Sequence, residues 1–197
     1  ENSRRHLLSE GLHHRRIYLT GSPMNEVLGH YSDKIKKSNI LEKLSLKSKE
    51  FFIVSMHREE NVDNIEMLNK MISILNKLVE EYDLPIIVST HPRTRERLHN
   101  KENTIINKKI SFLKPFGLFD YIHLQKNALC AISDSGTISE ESAILEFPAI
   151  TLRNSMERPE ALDAGSIILT GFNINNVLSS IKIVIEQYQS NKIIKSI

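Results

Sequence analysis

The sequence is short of the residues that define several protein classes. It contains one cysteine, Cys130, and no tryptophan, so no disulfide can form within it and a reducing compartment is expected. Cys130 lies in an apolar run and is interpreted as a buried thiol rather than a nucleophile. No apolar run approaches the roughly 20 residues of a transmembrane helix, and no signal peptide opens the chain. These absences favour a cytoplasmic protein without membrane contacts.

Neither positive nor negative charge is in large excess. The formal net charge is +2, which is too small to indicate binding to nucleic acid or to an anionic membrane. The sequence shows no set of residues at the close, regular spacing that a zinc site requires. The phosphate loop G-x-x-x-x-G-K-[ST] and the dinucleotide turn G-x-G-x-x-G are both missing. We therefore expect neither a metal nor a cofactor, and no nucleic-acid partner.

What the sequence does contain is an alternation of strands and helices. Hydrophobic residues make up 40% and charged residues 25% of the 197 positions, which is typical of a globular chain with one sizeable core. Short apolar runs predict strands over residues 51–54, 85–88, 110–113, 129–132, 147–152 and 166–169. Helices are predicted between them, including one over about 64–82 and a closing helix capped by Asn173 or Asn175. This alternation predicts an α/β fold, a parallel sheet with helices on both faces.

The segment before the first of these strands has its own pattern. It predicts a helix over residues 2–10 that ends at Gly11, and a helix that begins at Ser22-Pro23. A brief strand is predicted over residues 17–19, and a charged helical connector over 34–46.

Polar clusters follow five of the predicted strands, at residues 55–61, 89–93, 114–117, 133–137 and 153–160. Because the carboxyl ends of parallel strands meet at one edge of a sheet, these clusters predict a ligand-binding rim. Donors that suit a diphosphate are His57, Arg58, His91, Arg93, Ser135, Gly136, Arg153 and Arg158. Carboxylates that suit sugar hydroxyls are Glu60, Glu140, Glu141, Glu157 and Glu160, and aromatic residues for a base are Phe116, Phe119 and Tyr121. A nucleotide-sugar is the predicted ligand, although the histidines could instead cap or pack, and Phe119 or Tyr121 could belong to the core.

The stretch 129–142, LCAISDSGTISEES, is the centre of this rim. A buried strand, a small-residue turn and a helix start would aim free backbone N–H groups at one point. Gly136 allows close approach of an anion, and Ser135 and Thr137 add hydroxyls. The alternative is that Ser133 or Asp134 only caps the helix, and the stretch by itself does not decide between the two.

Five ordered segments resemble one known family. They are LTGSPMNEVL (19–28), SMHREEN (55–61), STHPRTRERL (89–98), SDSGTISEESA (133–143) and ERPEALDAG (157–165). They look like the C-terminal half of non-hydrolysing UDP-N-acetylglucosamine 2-epimerases, and within that family like the branch that forms UDP-N-acetyl-L-fucosamine. The resemblance implies a Rossmann-like domain that is the C-terminal half of a GT-B-type two-domain fold. Residues 1–197 would be the UDP-binding domain, with the N-terminal catalytic domain absent from this chain.

The resemblance also implies roles for individual residues. His57 would be catalytic, facing the diphosphate and sugar, and Ser135 and Gly136 would hold the phosphates. The other UDP-binding residues would be Glu141 on the ribose, Arg158 and Arg58 on the nucleotide, and Tyr121 near the uracil.

The implied reaction inverts C2 of a UDP-acetamido sugar by elimination and re-addition of UDP, in nucleotide-sugar supply for surface polysaccharide. Its proton-transfer residues belong to the family's N-terminal domain, so the expected partners are UDP, a UDP-acetamido sugar and that domain in cis or trans. A homodimer is left open. We expect the chain alone to bind UDP weakly and to turn nothing over. The rival interpretations are the donor-binding domain of a GT-B glycosyltransferase and a non-catalytic nucleotide-sugar binding module.

Overall fold

In the part of the chain that the structure describes, six short strands form one parallel sheet. The computed structural model of the protein describes residues 2–56, 64–90, 105–153 and 167–190. The strand order is β3-β2-β1-β4-β5-β6, and every neighbouring pair is parallel. The strands are β1 (Phe52–Met56), β2 (Ile86–Thr90), β3 (Ile110–Leu113), β4 (Cys130–Ser133), β5 (Ala149–Thr151) and β6 (Ile168–Leu169).

Helices connect these strands and precede the first of them. In the described ranges the α-helices are α1 (Asn2–Ser9), α2 (Met24–His30), α3 (Ser32–Lys36), α4 (Ile40–Lys43), α5 (Ile65–Tyr82), α6 (Leu118–Asn127), α7 (Ile138–Leu145) and α8 (Ile174–Gln189). A 3-10 turn covers His14–Arg16. No helix in these ranges is both long enough and apolar enough to cross a bilayer.

Successive residues of each strand pack against helices on opposite faces of the sheet. On one face, Phe52, Val54 and Met56 of β1 belong to a cluster that includes the apolar sides of α5 and α8. On the other face, Ile53 belongs to a cluster with residues of α4, α6 and α7. Both faces of the sheet are therefore covered, which explains why the strands read as continuous apolar runs. The predicted α/β fold is confirmed, and Cys130 is fully buried as expected.

Asparagine side chains fix the starts of the two longest helices. Asn64 Oδ1 accepts hydrogen bonds from the amides of Glu66 and Met67, at 2.9 and 3.3 Å. Asn173 Oδ1 accepts one from the amide of Asn176 at 3.1 Å. Each cap satisfies helix-start donors that have no intrahelical acceptor. Of the two predicted caps for the closing helix, Asn173 is therefore the one that acts, and Asn175 lies inside α8.

The strand order locates the site. From β1 the chain fills the sheet outward through β2 and β3, then returns to place β4 on the other side of β1. The strand order therefore reverses between β1 and β4, and open parallel sheets commonly bind ligands at the carboxyl ends of the strands beside such a reversal. In this sheet that edge lies at Met56 and Ser133.

Two predictions for the segment before β1 were wrong. Residues 17–19 form no strand: Tyr18 and Leu19 are 82% and 66% exposed, and no strand of the sheet lies beside them. The connector over 34–46 is not one helix but is divided between α3 and α4. The break occurs at Ser38, whose Oγ donates to Asp120 Oδ1 at 2.5 Å and accepts from the amide of Ile40 at 3.3 Å. That side-chain contact with α6 competes with continued helix.

Packing of α8 on the sheet can be tested with a matched pair of isoleucines. Ile181 is fully buried, whereas Ile183 is 44% exposed. We expect Ile181→Ala to lower the free energy of unfolding by about 2–5 kcal/mol because it leaves a cavity. Ile183→Ala should change it by about 0.5 kcal/mol or less. Urea unfolding measures both values, and equal losses would show that α8 does not pack as described.

Candidate active site

The turn between β4 and α7 leads into a helix that its own N-cap side chain does not cap. β4 ends at Ser133 and α7 begins at Ile138, with Thr137 at the N-cap position. Thr137 makes no capping hydrogen bond, and its hydroxyl donates to Glu141 Oε1 at 2.7 Å. The first-turn amides of a helix have no intrahelical acceptor. Together with the positive end of the helix dipole they form a place suited to an anion.

A chain of buried hydroxyls connects the two central strands beneath this turn. The Tyr121 hydroxyl donates to Ser55 Oγ at 2.6 Å, and Ser55 Oγ lies 2.8 Å from Ser133 Oγ. Either serine can be the donor in this second contact. Ser133 Oγ in turn accepts the amide of Ser135 at 3.0 Å. The turn is thus tied to β1, β4 and α6 at once.

A second chain runs from the turn to α6. Ser135 Oγ and Thr137 Oγ1 lie 3.0 Å apart, and the amide of Thr137 donates to Ser135 Oγ at 3.3 Å. Since the Thr137 proton is used on Glu141, the Ser135 proton points to Thr137. The other Glu141 oxygen, Oε2, accepts from Gln125 Nε2 at 2.8 Å. Each oxygen of the Glu141 carboxylate thus accepts one hydrogen bond, and the two together fix its orientation.

The surroundings of Tyr121 keep its phenol neutral. Burial raises the pKa of Tyr121 to about 12, and the nearby charge of Glu141 acts in the same direction. The hydrogen bond to Ser55 and the nearby amide of Gln125 lower the pKa and oppose these effects. At neutral pH the hydroxyl therefore remains a donor to Ser55.

The structure brings four of the seven predicted site residues to this edge. Ser135 and Gly136 are half-buried in the turn, and Glu141 is 8% exposed in the first turn of α7. Tyr121 faces the same turn from α6 through Ser55. His57, Arg58 and Arg158 lie outside the described residues, as do His91, Arg93, Glu60, Glu157 and Glu160. Whether the four residues contact a ligand stays a prediction.

Two residues at the site were not singled out from the sequence. Ser55 and Gln125 are each 1% exposed and each bonds a predicted residue. Gln125 does carry a signal, because it lies one turn after Tyr121 and shares the buried side of α6 with Ile122 and Leu124. Ser55 carries a weaker one, as a polar residue at the end of an apolar strand.

Glu140 has a structural contact that the sequence did not suggest. Its Oε2 accepts a hydrogen bond from Ser22 Oγ at 2.5 Å, so it ties the start of α2 to α7. Among the residues that the structure describes, no group of three or more histidine, cysteine, aspartate or glutamate side chains is arranged to hold a metal ion.

The family model described as UDP-N-acetylglucosamine 2-epimerase matches residues 1–196 of the chain. The chain belongs to the UDP-N-acetylglucosamine 2-epimerase family. A UDP-N-acetylglucosamine 2-epimerase of Methanocaldococcus jannaschii is 34% identical over 200 residues, which cover 98% of this chain and 54% of that protein. The chain thus spans about half the length of the epimerase relatives that it matches.

Solved structures of epimerases in this family share the fold. The UDP-N-acetylglucosamine 2-epimerase of Rickettsia bellii superposes with a TM-score of 0.88 at 44% identity, over 97% of this chain and 50% of that one. The M. jannaschii UDP-GlcNAc 2-epimerase in complex with UDP-GlcNAc and UDP gives a TM-score of 0.80 at 33% identity, over 93% of this chain and 52% of that one.

The buried phenol predicts a specific pH dependence of stability. The folded-state pKa of Tyr121, about 12, lies above the unfolded value of about 10. Its contribution is therefore complete below pH 10 and is lost as the pH rises towards 12. In Tyr121→Phe we expect the free energy of unfolding to fall less steeply over this interval, by about 1 kcal/mol per pH unit. Urea unfolding at several pH values measures the slope, and identical slopes in both proteins would contradict the burial of the phenol.

Proposed function

We propose that this chain is the UDP-binding half of a UDP-N-acetylglucosamine 2-epimerase. The observation that carries the proposal is the start of α7, which its N-cap residue Thr137 does not cap, beside a fixed carboxylate at the edge where open parallel sheets bind ligands. A relative of the same fold was solved with UDP-GlcNAc and UDP.

The diphosphate would lie against the turn between β4 and α7. The first-turn amides of α7 and the backbone of Gly136 can donate to phosphate oxygens, since glycine has no Cβ to hold an anion away. Ser135 can add its hydroxyl by turning it from Thr137 towards the ligand. It would exchange one hydrogen bond for another, so its share of the binding free energy is modest.

Glu141 would hold the ribose. A carboxylate has about four lone-pair positions, and Thr137 and Gln125 occupy one on each oxygen. The remaining positions can accept the two hydroxyls of a ribose. Tyr121 would lie near the uracil, and His57, Arg58 and Arg158 would add donors around the diphosphate, as the family motifs imply.

In the proposed reaction, a base removes the C2 proton of a UDP-acetamido sugar and the C1–O bond breaks. The electron pair of the C2–H bond forms a C1=C2 double bond, and UDP leaves with the electrons of the C1–O bond. UDP then adds back to C1 while C2 receives a proton on the opposite face, which inverts that carbon. This chain would stabilise the negative charge that develops on UDP as it leaves. The proton-transfer groups would come from the other half of the enzyme, which would supply a nucleotide-sugar for surface polysaccharide.

Isothermal titration calorimetry tests the binding half of this proposal. We expect the chain to bind UDP with a dissociation constant below about 1 mM, which corresponds to about −4 kcal/mol. Orthophosphate serves as the control and should bind more weakly, because it has no ribose or base. The chain alone should not epimerise UDP-N-acetylglucosamine. Absence of UDP binding at millimolar ligand would refute the proposal, and robust epimerisation by the chain alone would refute its assignment to half of the site.

Two alanine variants test the phosphate contacts. Ser135→Ala should weaken UDP binding by roughly two- to tenfold, and Arg158→Ala by roughly tenfold or more because a charged donor is lost. The matched control is Ser73→Ala, since the Ser73 hydroxyl bonds only the backbone of its own helix on the exposed side of α5. All three should keep a thermal midpoint close to that of the parent protein. A large loss of stability in Ser135→Ala or Arg158→Ala would instead mean a structural role.

A further inference from the structure

The proposed function assigns no role to Gln125. It is 1% exposed on α6, and its Nε2 donates to Glu141 Oε2 at 2.8 Å. Within the described part of the chain, its other polar atom, Oε1, is buried without a hydrogen-bond partner. A buried amide with one acceptor unpaired is unfavourable for folding by itself. A role in the site would explain why this amide is buried here.

The pairing with Glu141 explains the orientation of this amide. If the amide were flipped, Oε1 would face the carboxylate of Glu141 and the two would repel. A lysine in this place would add a positive charge and compete with ligand hydroxyls for the carboxylate oxygens. A neutral amide donor fixes one oxygen and leaves the negative charge available.

The two hydrogen bonds on Glu141 come from different elements. Thr137 holds Oε1 from the start of α7, and Gln125 holds Oε2 from α6. Held from both sides, the carboxylate plane cannot rotate freely, so its remaining lone pairs point in fixed directions. Preorganised acceptors of this kind discriminate strongly against a ligand that lacks the matching hydroxyl.

We propose that Gln125 is a positioning residue that fixes the Glu141 carboxylate and so makes the site select a ribonucleoside diphosphate over its 2′-deoxy counterpart. This inference rests on the proposed function, because it takes Glu141 as the ribose contact. Gln125 itself does not touch the ligand.

The experiment compares UDP with 2′-deoxy-UDP by calorimetry, in the parent protein and in Gln125→Met. The parent should bind UDP about tenfold or more tightly than 2′-deoxy-UDP. Gln125→Met keeps the length of the side chain but removes the donor, so it should lose most of that preference. The loss of affinity should be larger for UDP than for 2′-deoxy-UDP, which keeps only the 3′-hydroxyl for Glu141. A residue with only a structural role would weaken both ligands alike.

Three further variants make the result specific. Gln187→Met, on the exposed side of α8, is the matched control and should keep the full preference. In a Glu141→Gln background, Gln125→Met should change the preference no further, as a double-mutant cycle requires for residues that act together. If Gln125→Met does not fold, Gln125→Asn retains a buried amide that is too short to reach Glu141, and it should lose the preference as well.

The outcomes separate this inference from the proposed function. If the parent binds neither nucleotide, the proposed function fails and the inference fails with it. If the parent binds both equally, or if the Gln125 variants keep its preference for UDP, the inference is overturned while UDP binding stands. Loss of the preference in the Gln125 variants with retention in Gln187→Met supports it.

Discussion

The site depends on the register between β1 and β4, the two strands on either side of the point where the strand order reverses. Ser55 lies opposite Ser133 in this register, and their hydroxyls are 2.8 Å apart. A slip of one residue would turn one serine to the other face of the sheet and break the chain from Tyr121 to Ser135. The register is in turn enforced by burial, because β1 and β4 contribute to both apolar clusters.

The side chain of Thr137, at the start of α7, is the second feature of the site. Threonine at an N-cap position ordinarily accepts a hydrogen bond from the helix start. Thr137 accepts none there, and its hydroxyl donates to Glu141. The helix start is therefore not capped by Thr137, and the Glu141 carboxylate is held in one orientation.

Membership of the epimerase family and the local geometry support the same interpretation by independent routes. The family match depends on sequence along nearly the whole chain, whereas the hydrogen-bond chains depend on where four segments meet. Gln125 shows the difference between the two routes. No motif drew attention to it, yet it makes one of the two hydrogen bonds that fix Glu141.

The sequence by itself determined the order and kind of nearly all the strands and helices after residue 50. Continuous apolar runs, helical periodicity and asparagine caps are local signals, and β3 was predicted with its observed bounds. The turn at residues 133–137 and its position at the carboxyl edge also followed from residue order. The predictions were wrong at residues 17–19, where an apolar run has no neighbouring strand to pair with. They were also wrong at Ser38, where a hydrogen bond to Asp120 interrupts the predicted helix. Only the tertiary structure decided that Ser55 and Gln125 support the site. Those contacts join residues up to 78 positions apart, and no local pattern specifies which of several possible partners a hydroxyl or amide will meet.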